Sequence, residues 1–127
     1  DFILTGDAEA ESEARLLASG LLLDAEILKV GHHGSNSSST AAFLAAVAPQ
    51  VAVISVGPNP YGHPRAEVLQ RLSDAGATIY RTDALGHIVV STDGAGYTVS
   101  PDVTPAPTLP APSTTLFLPI VYLAPAP

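Results

Sequence analysis

The sequence predicts an α/β fold, with a parallel sheet laid down by alternating strands and helices and a short antiparallel end. Three observations predict it. Stretches of strand length with apolar residues recur at 2–4, 26–30 and 51–56, and the last is a continuous apolar run rich in β-branched residues, as in a strand covered on both faces. Between these runs, apolar residues return at helical spacing. Glycines and prolines punctuate the changes. The 127 residues are 46% apolar and only 13% charged, enough for one domain with a real core.

Phe2-Ile3-Leu4 is the first strand, ending at Thr5-Gly6-Asp7. A helix over 8–19 follows, with Ala10, Ala14, Leu17 and Leu21 as its apolar stripe and Glu9, Glu11 and Glu13 near its positive end. The second strand runs from Glu26 to Val30 and opens into a polar loop from His32 to Ser39. Thr40 to Val47 reads as a helix with Phe43, Leu44 and Val47 inward, before the strand at 51–56. After a loop at 57–63, Pro64 suits the first turn of a third helix carrying Val68, Leu69 and Leu72. Ala77–Arg81 is a strand, 83–86 a turn, and 87–92 and 97–100 are antiparallel strands. The order is β-α-β-α-β-α-β-β-β.

Composition narrows the function. The net charge is −7 and the five Lys/Arg are scattered, so this chain lacks the basic stripe of a duplex-DNA binder. An acidic site suits cations instead. With no cysteine there is no disulfide frame and no thiolate zinc site. No apolar run reaches the ~20 residues that span a bilayer. A start at Asp-Phe-Ile-Leu leads us to expect a fragment or a processed product.

Ligands of open α/β sheets bind beyond the carboxyl ends of the strands. Asp7 follows the first strand, His32 and His33 follow the second, and His63 lies in the loop after the third. Parallel strands bring those ends to one edge, gathering one carboxylate and two or three imidazoles, a ligand set for first-row metals. Each has an ordinary alternative. Asp7 precedes a helix and suits an N-cap; the histidines suit loop residues bonded to backbone; Ser35–Ser39 suit a solvated loop and cap. Gly34 permits close backbone approach, and N–H groups between Ser35 and Thr40 suit a phosphate oxygen.

Leu4-Thr5-Gly6-Asp7, then Leu28-Lys29-Val30-Gly31-His32-His33-Gly34-Ser35, then Val53-Ile54-Ser55-Val56-Gly57 with Tyr61-Gly62-His63-Pro64, then Tyr80-Arg81-Thr82-Asp83 form an ordered set. This set resembles the C-terminal half of a metallo-β-lactamase-fold hydrolase. It is most similar to the soluble domain of ComEC-type DNA-uptake (competence) proteins and their stand-alone relatives. The resemblance covers Phe2 to about Gly94. It implies an αββα sandwich of which this chain is the second half. It also implies two divalent metal ions, zinc first and manganese second, with Asp7 bridging them and His63 ligating one. His33 would contact the scissile phosphate, His32 would support it, and Gly34 and Ser35 would lie against substrate. The implied reaction is phosphodiester cleavage, nuclease-like, by a metal-activated hydroxide, on DNA or another phosphodiester.

The main metal motif of that fold, His-x-His-x-Asp-His, is absent, so the N-terminal half of the domain is an expected partner and the chain alone is expected to be inactive. It is also expected to expose the sheet face that the other half covers. Competing readings are a hydrolase of a small ester, lactam or cyclic phosphodiester, and a non-catalytic binding module of the same fold. A doubly wound nucleotide-binding domain finds no Gly-x-Gly-x-x-Gly or P-loop pattern. Residues 1–100 form the domain, 101–115 a Pro/Thr-rich linker and 116–127 a short apolar segment, read either as packing on the parent protein or as an attachment tail. The resemblance and tail together point to a bacterial protein in an extracytoplasmic or cell-surface setting.

Overall fold

The computed structural model describes residues 1–103. The expected apolar segment at 116–127, and the linker beyond Val103, lie outside the described residues.

Four strands, β1 (Phe2–Leu4), β2 (Ile27–Lys29), β3 (Val51–Ile54) and β4 (Thr78–Arg81), form a wholly parallel sheet in the order β1-β2-β3-β4. Three helices connect them: α1 (Ala10–Ala18), α2 (Ala41–Val47) and α3 (Ala66–Asp74). A single helical turn, α4 (Thr82–Leu85), leads to the hairpin of β5 (Ile88–Thr92) and β6 (Tyr97–Pro101).

Strands that join a sheet in sequence order through right-handed crossovers place every connecting helix on the same face. The core follows that rule. Leu28, Val30, Ala52 and Ile54 share one face of β2 and β3, and they pack with Phe43, Leu44 and Val47 of α2 and Val68 and Leu72 of α3. Each Val, Leu, Ile or Phe among them stabilises the fold by about 1.5–3 kcal/mol when fully buried. The opposite face carries two rows in register, Phe2-Ile27-Val51-Thr78 and Leu4-Lys29-Val53-Tyr80, with Ile27 and Val51 buried. Parallel sheets are ordinarily covered on both faces, yet Leu4 is 75% exposed and Phe2 44%. The hairpin stands only over the start of that face, where Tyr97 Oη donates to Gln50 Oε1 at 2.9 Å.

The architecture departs from expectation in four places. The antiparallel strands form a separate two-stranded sheet and not an end of the parallel one. Helix α1 turns a different side inward: Glu13 is buried and Leu16 partly buried, whereas Ala10, Ala14, Leu17 and Leu21 are exposed. Pro64 lies ahead of α3, whose N-cap is Arg65, and is buried after a cis peptide bond from His63. The folded unit also runs past residue 100. Strand β6 includes Pro101, Asp102 N–H bonds His87 O at 3.0 Å, and Val103 N–H bonds Leu85 O at 3.1 Å.

Candidate active site

The ends of β1 and β2 are locked together before any chemistry is arranged. Thr5 Oγ1 donates to Lys29 O at 2.8 Å, and His32 N–H donates to Gly6 O at 3.0 Å. At Gly31 a Cβ would lie 2.8 Å from Ala8 O, so only glycine lets the two turns meet. Residues Gly31–Gly34 then form a tight turn in which His32 (φ 46°) and His33 (φ 54°) both take the left-handed conformation. Such backbone costs on the order of 1–3 kcal/mol per residue and persists only where surrounding contacts hold it.

Those contacts are plain. His32 Nδ1 lies 2.8 Å from Glu9 Oε1, and His33 Nδ1 lies 2.7 Å from Ser55 O. Gly34 O accepts from Arg65 N–H at 2.9 Å. Behind the turn, the buried Glu13 carboxylate accepts from Ser39 N–H at 2.5 Å and Thr40 N–H at 2.8 Å. Arg71 donates to the carbonyls of Asn36, Ser38 and Ser39. Ser38 Oγ donates to Gly31 O at 2.8 Å.

The four residues expected at the sheet's carboxyl edge do gather there, in a definite arrangement. His33 Nε2 lies 4.0 Å from Asp7 Oδ1, with both side chains more than half exposed. The His32 ring centroid is 6.4 Å from that of His33 and 5.8 Å from that of His63. His63 also has Tyr61 at 5.8 Å. Its loop is pinned by Asn59, whose Oδ1 accepts from Tyr61 N–H and His63 N–H and whose Nδ2 donates to Gly57 O and His63 O. A shallow cleft of about 230 Å³ opens between His33, Gly57, Asn59, Tyr61 and His63. A larger groove of about 620 Å³ lies beneath the hairpin at the other end of the sheet, with no imidazole or carboxylate in its lining.

The hydrogen bonds set protonation. A carbonyl oxygen only accepts, so His33 Nδ1 donates to Ser55 O and the lone pair of the neutral ring sits on Nε2, the atom facing Asp7. Burial, helped by the charges of Arg65, His32 and His33, holds His63 below the ordinary histidine value of 6.5. The stability it contributes is therefore present above the unfolded-state pKa and lost as pH falls through the folded-state value. An NMR titration of the metal-free chain is expected to give a His63 midpoint below 6.5; a midpoint at or above it contradicts this environment. Lys29, half-buried on the open face, is lowered by burial while the charge of Asp7 opposes the shift.

Gly34 is buried, and a Cβ there would lie 2.6 Å from Pro64 Cβ, so the close approach its missing side chain permits is that of Pro64. Most of the N–H groups from Ser35 to Thr40 are already taken. Ser35 N–H donates to His32 O and Ser38 N–H to Ser35 O, while Ser39 and Thr40 are taken by Glu13. The Ser35 hydroxyl pairs with Ser37 at 2.9 Å. Asp7 is not the helix cap, since the N-cap of α1 is Glu9 and makes no side-chain capping bond. The sequence reading missed Glu9 as a partner of His32 and missed Glu13, Asn59 and Arg71 as supports. Glu13 lies three residues before Leu16 on the side of α1 that faces the core, a side the apolar spacing did not mark. Among the described residues, no group of three or more His, Asp or Glu is gathered to hold a metal.

The fold and site define an α/β unit with a carboxylate–imidazole cluster at the carboxyl edge of a singly layered parallel sheet. The chain is 42% identical over 88 residues to ComE operon protein 3 of Bacillus subtilis, covering 68% of this chain and 11% of that protein. It is 42% identical over 86 residues to the competence protein ComA of Neisseria gonorrhoeae, covering 66% and 12%. It is 38% identical over 90 residues to recombination protein 2 of Haemophilus influenzae, covering 70% and 11%. The chain thus spans about a tenth of the length of these curated relatives. No family model matches it, and no solved structure matches it.

Proposed function

We propose that this chain supplies half of the active site of a metal-dependent phosphodiesterase, nuclease-like in reaction, that works with DNA in competence. The observation that carries the reading is the meeting of Asp7 with the Nε2 lone pair of His33 at the sheet's carboxyl edge. The similarity to a protein named for competence supports the link to DNA uptake, and a cell-surface setting is part of the same proposal. Among the described residues, no helix is long and apolar enough to cross a membrane.

All three connecting helices on one face, with an open apolar face behind, support the reading of half a metallo-β-lactamase sandwich. The N-terminal half of the domain is the partner that covers that face. The donor set fits zinc, with manganese second: a carboxylate and a neutral imidazole are the oxygen and nitrogen ligands that these ions take. When bound, the metal would lower the pKa of the attacking water and offset charge on the phosphoryl oxygens.

The geometry favours an exchange of roles relative to the sequence-level resemblance. His33, and not His63, faces Asp7, so Asp7 and His33 are the ligands this half contributes. His63 lies beside His32 and Tyr61 at the cleft, where an imidazole kept neutral near pH 7 can accept a hydrogen bond or a proton from substrate. With a net charge of −7, this half offers DNA no electrostatic hold, so that hold belongs to the rest of the protein.

The test is a domain completed with its upstream half, loaded with zinc or manganese, and assayed on a chromogenic phosphodiester and on single- and double-stranded DNA. Metal-dependent hydrolysis is expected of the completed domain and none of the 127-residue chain. A metal-loaded, folded domain that cleaves no phosphodiester overturns the reading.

A further inference from the structure

We infer that Glu9 is a positioning residue for His32, fixing its imidazole as the Nδ1–H tautomer and so leaving the ring's lone pair on Nε2. The contact is Glu9 Oε1 to His32 Nδ1 at 2.8 Å. A carboxylate only accepts hydrogen bonds, so the proton of the neutral ring sits on Nδ1. Glu9 stands at the N-cap position of α1, where a short polar side chain would ordinarily bond the helix's first N–H groups, and it makes no such bond. Its carboxylate is spent on the histidine. The neighbouring residue ties the same point down, since Ala10 N–H donates to Ser37 O at 2.7 Å.

The consequence reaches the whole cluster. Ser55 O holds His33 in the same tautomer, so two adjacent imidazoles present Nε2 lone pairs by two separate devices, one charged and one neutral. Free imidazole side chains favour the other tautomer, with hydrogen on Nε2, so the arrangement needs its acceptors. A neutral His32 so held accepts a hydrogen bond at Nε2 and cannot donate from it. Any part His32 takes in hydrolysis rests on the phosphodiesterase reading; the tautomer does not.

The test uses the 127-residue chain, nitrogen-15 labelled and metal-free, at a pH above the histidine range. Two- and three-bond proton–nitrogen correlations report which ring nitrogen bears hydrogen. The wild-type chain is expected to show His32 and His33 both as Nδ1–H. Glu9→Ala is expected to move His32 predominantly to Nε2–H and leave His33 unchanged, and Glu9→Gln, whose amide oxygen also accepts, to restore the wild-type pattern. Glu9 is half exposed, so the substitution leaves the core intact. Wild-type His32 found as Nε2–H, no change in Glu9→Ala, or equal changes at His32 and His33 would each overturn the inference. In the completed domain, Glu9→Ala is expected to lower kcat by about 10–100-fold, the scale of lost orienting partners, with KM little changed. A domain that hydrolyses nothing while His32 still switches tautomer sinks the phosphodiesterase reading and keeps Glu9 in its role. An active domain in which neither the tautomer nor kcat responds sinks Glu9 alone.

Discussion

Asp7→Asn in the completed domain is expected to reduce phosphodiester hydrolysis by about 10²–10³-fold or more, the scale of losing one preorganised electrostatic contact. Stability is expected to change by no more than about 0.5 kcal/mol, as for ordinary surface positions. The two halves of this expectation have one cause. Asp7 is 75% exposed and sits on a turn held by Thr5 and Gly6, so the fold does not need its carboxylate. Two further variants separate the roles of the histidines. His33→Ala is expected to lower bound metal, because His33 Nε2 faces Asp7. His63→Ala is expected to keep the metal and lower the rate, because His63 lies with Tyr61 at the cleft. Metal content by elemental analysis, measured with kcat on the same samples, decides it. Metal lost with His63 and retained without His33 would restore the ligand assignment that the resemblance implies.

How much of this was legible beforehand depended on the physics of each residue. The parallel strands announced themselves because their sequences are short apolar runs, as Val51–Ile54 is. The gathering of Asp7, His32, His33 and His63 at one edge followed from alternation alone, since parallel strands share a carboxyl end. Which imidazole meets Asp7 did not follow. That depends on two left-handed residues in succession at His32 and His33, a conformation that non-glycine residues adopt only under tertiary constraint. The detached hairpin was equally hidden, because Ile88–Thr92 has the same composition whether it joins the main sheet or only β6. The inward side of α1 was misjudged for a clearer reason. Apolar spacing marks a stripe of alanines and leucines, and the buried residue is a glutamate.

That glutamate carries the largest expected effect on stability. Glu13→Ala is expected to cost about 3–5 kcal/mol, since it strands two N–H groups at about 1–3 kcal/mol each and empties a buried site. Its carboxylate takes the N–H groups of Ser39 and Thr40 just ahead of α2, where the exposed donors of the helix favour negative charge. Ser39 itself is left-handed at φ 54° and buried, so the chain cannot turn to find water as a replacement. A domain has only about 5–15 kcal/mol in total, so urea unfolding is expected to show a midpoint shift that is large against that margin. Glu13→Gln keeps one acceptor oxygen and sets an amide NH₂ against the other N–H, so it is expected to lose roughly half as much. Glu11→Ala removes only an exposed i,i+4 pair with Arg15 and is expected to cost about 0.3–0.5 kcal/mol. A Glu13→Ala loss no larger than that of Glu11→Ala would mean that the loop carrying His32 and His33 is held by Arg71 and Ser38 without it. The ordering Ala, then Gln, then the Glu11 control would identify α1 as the element that anchors the histidine loop to the sheet.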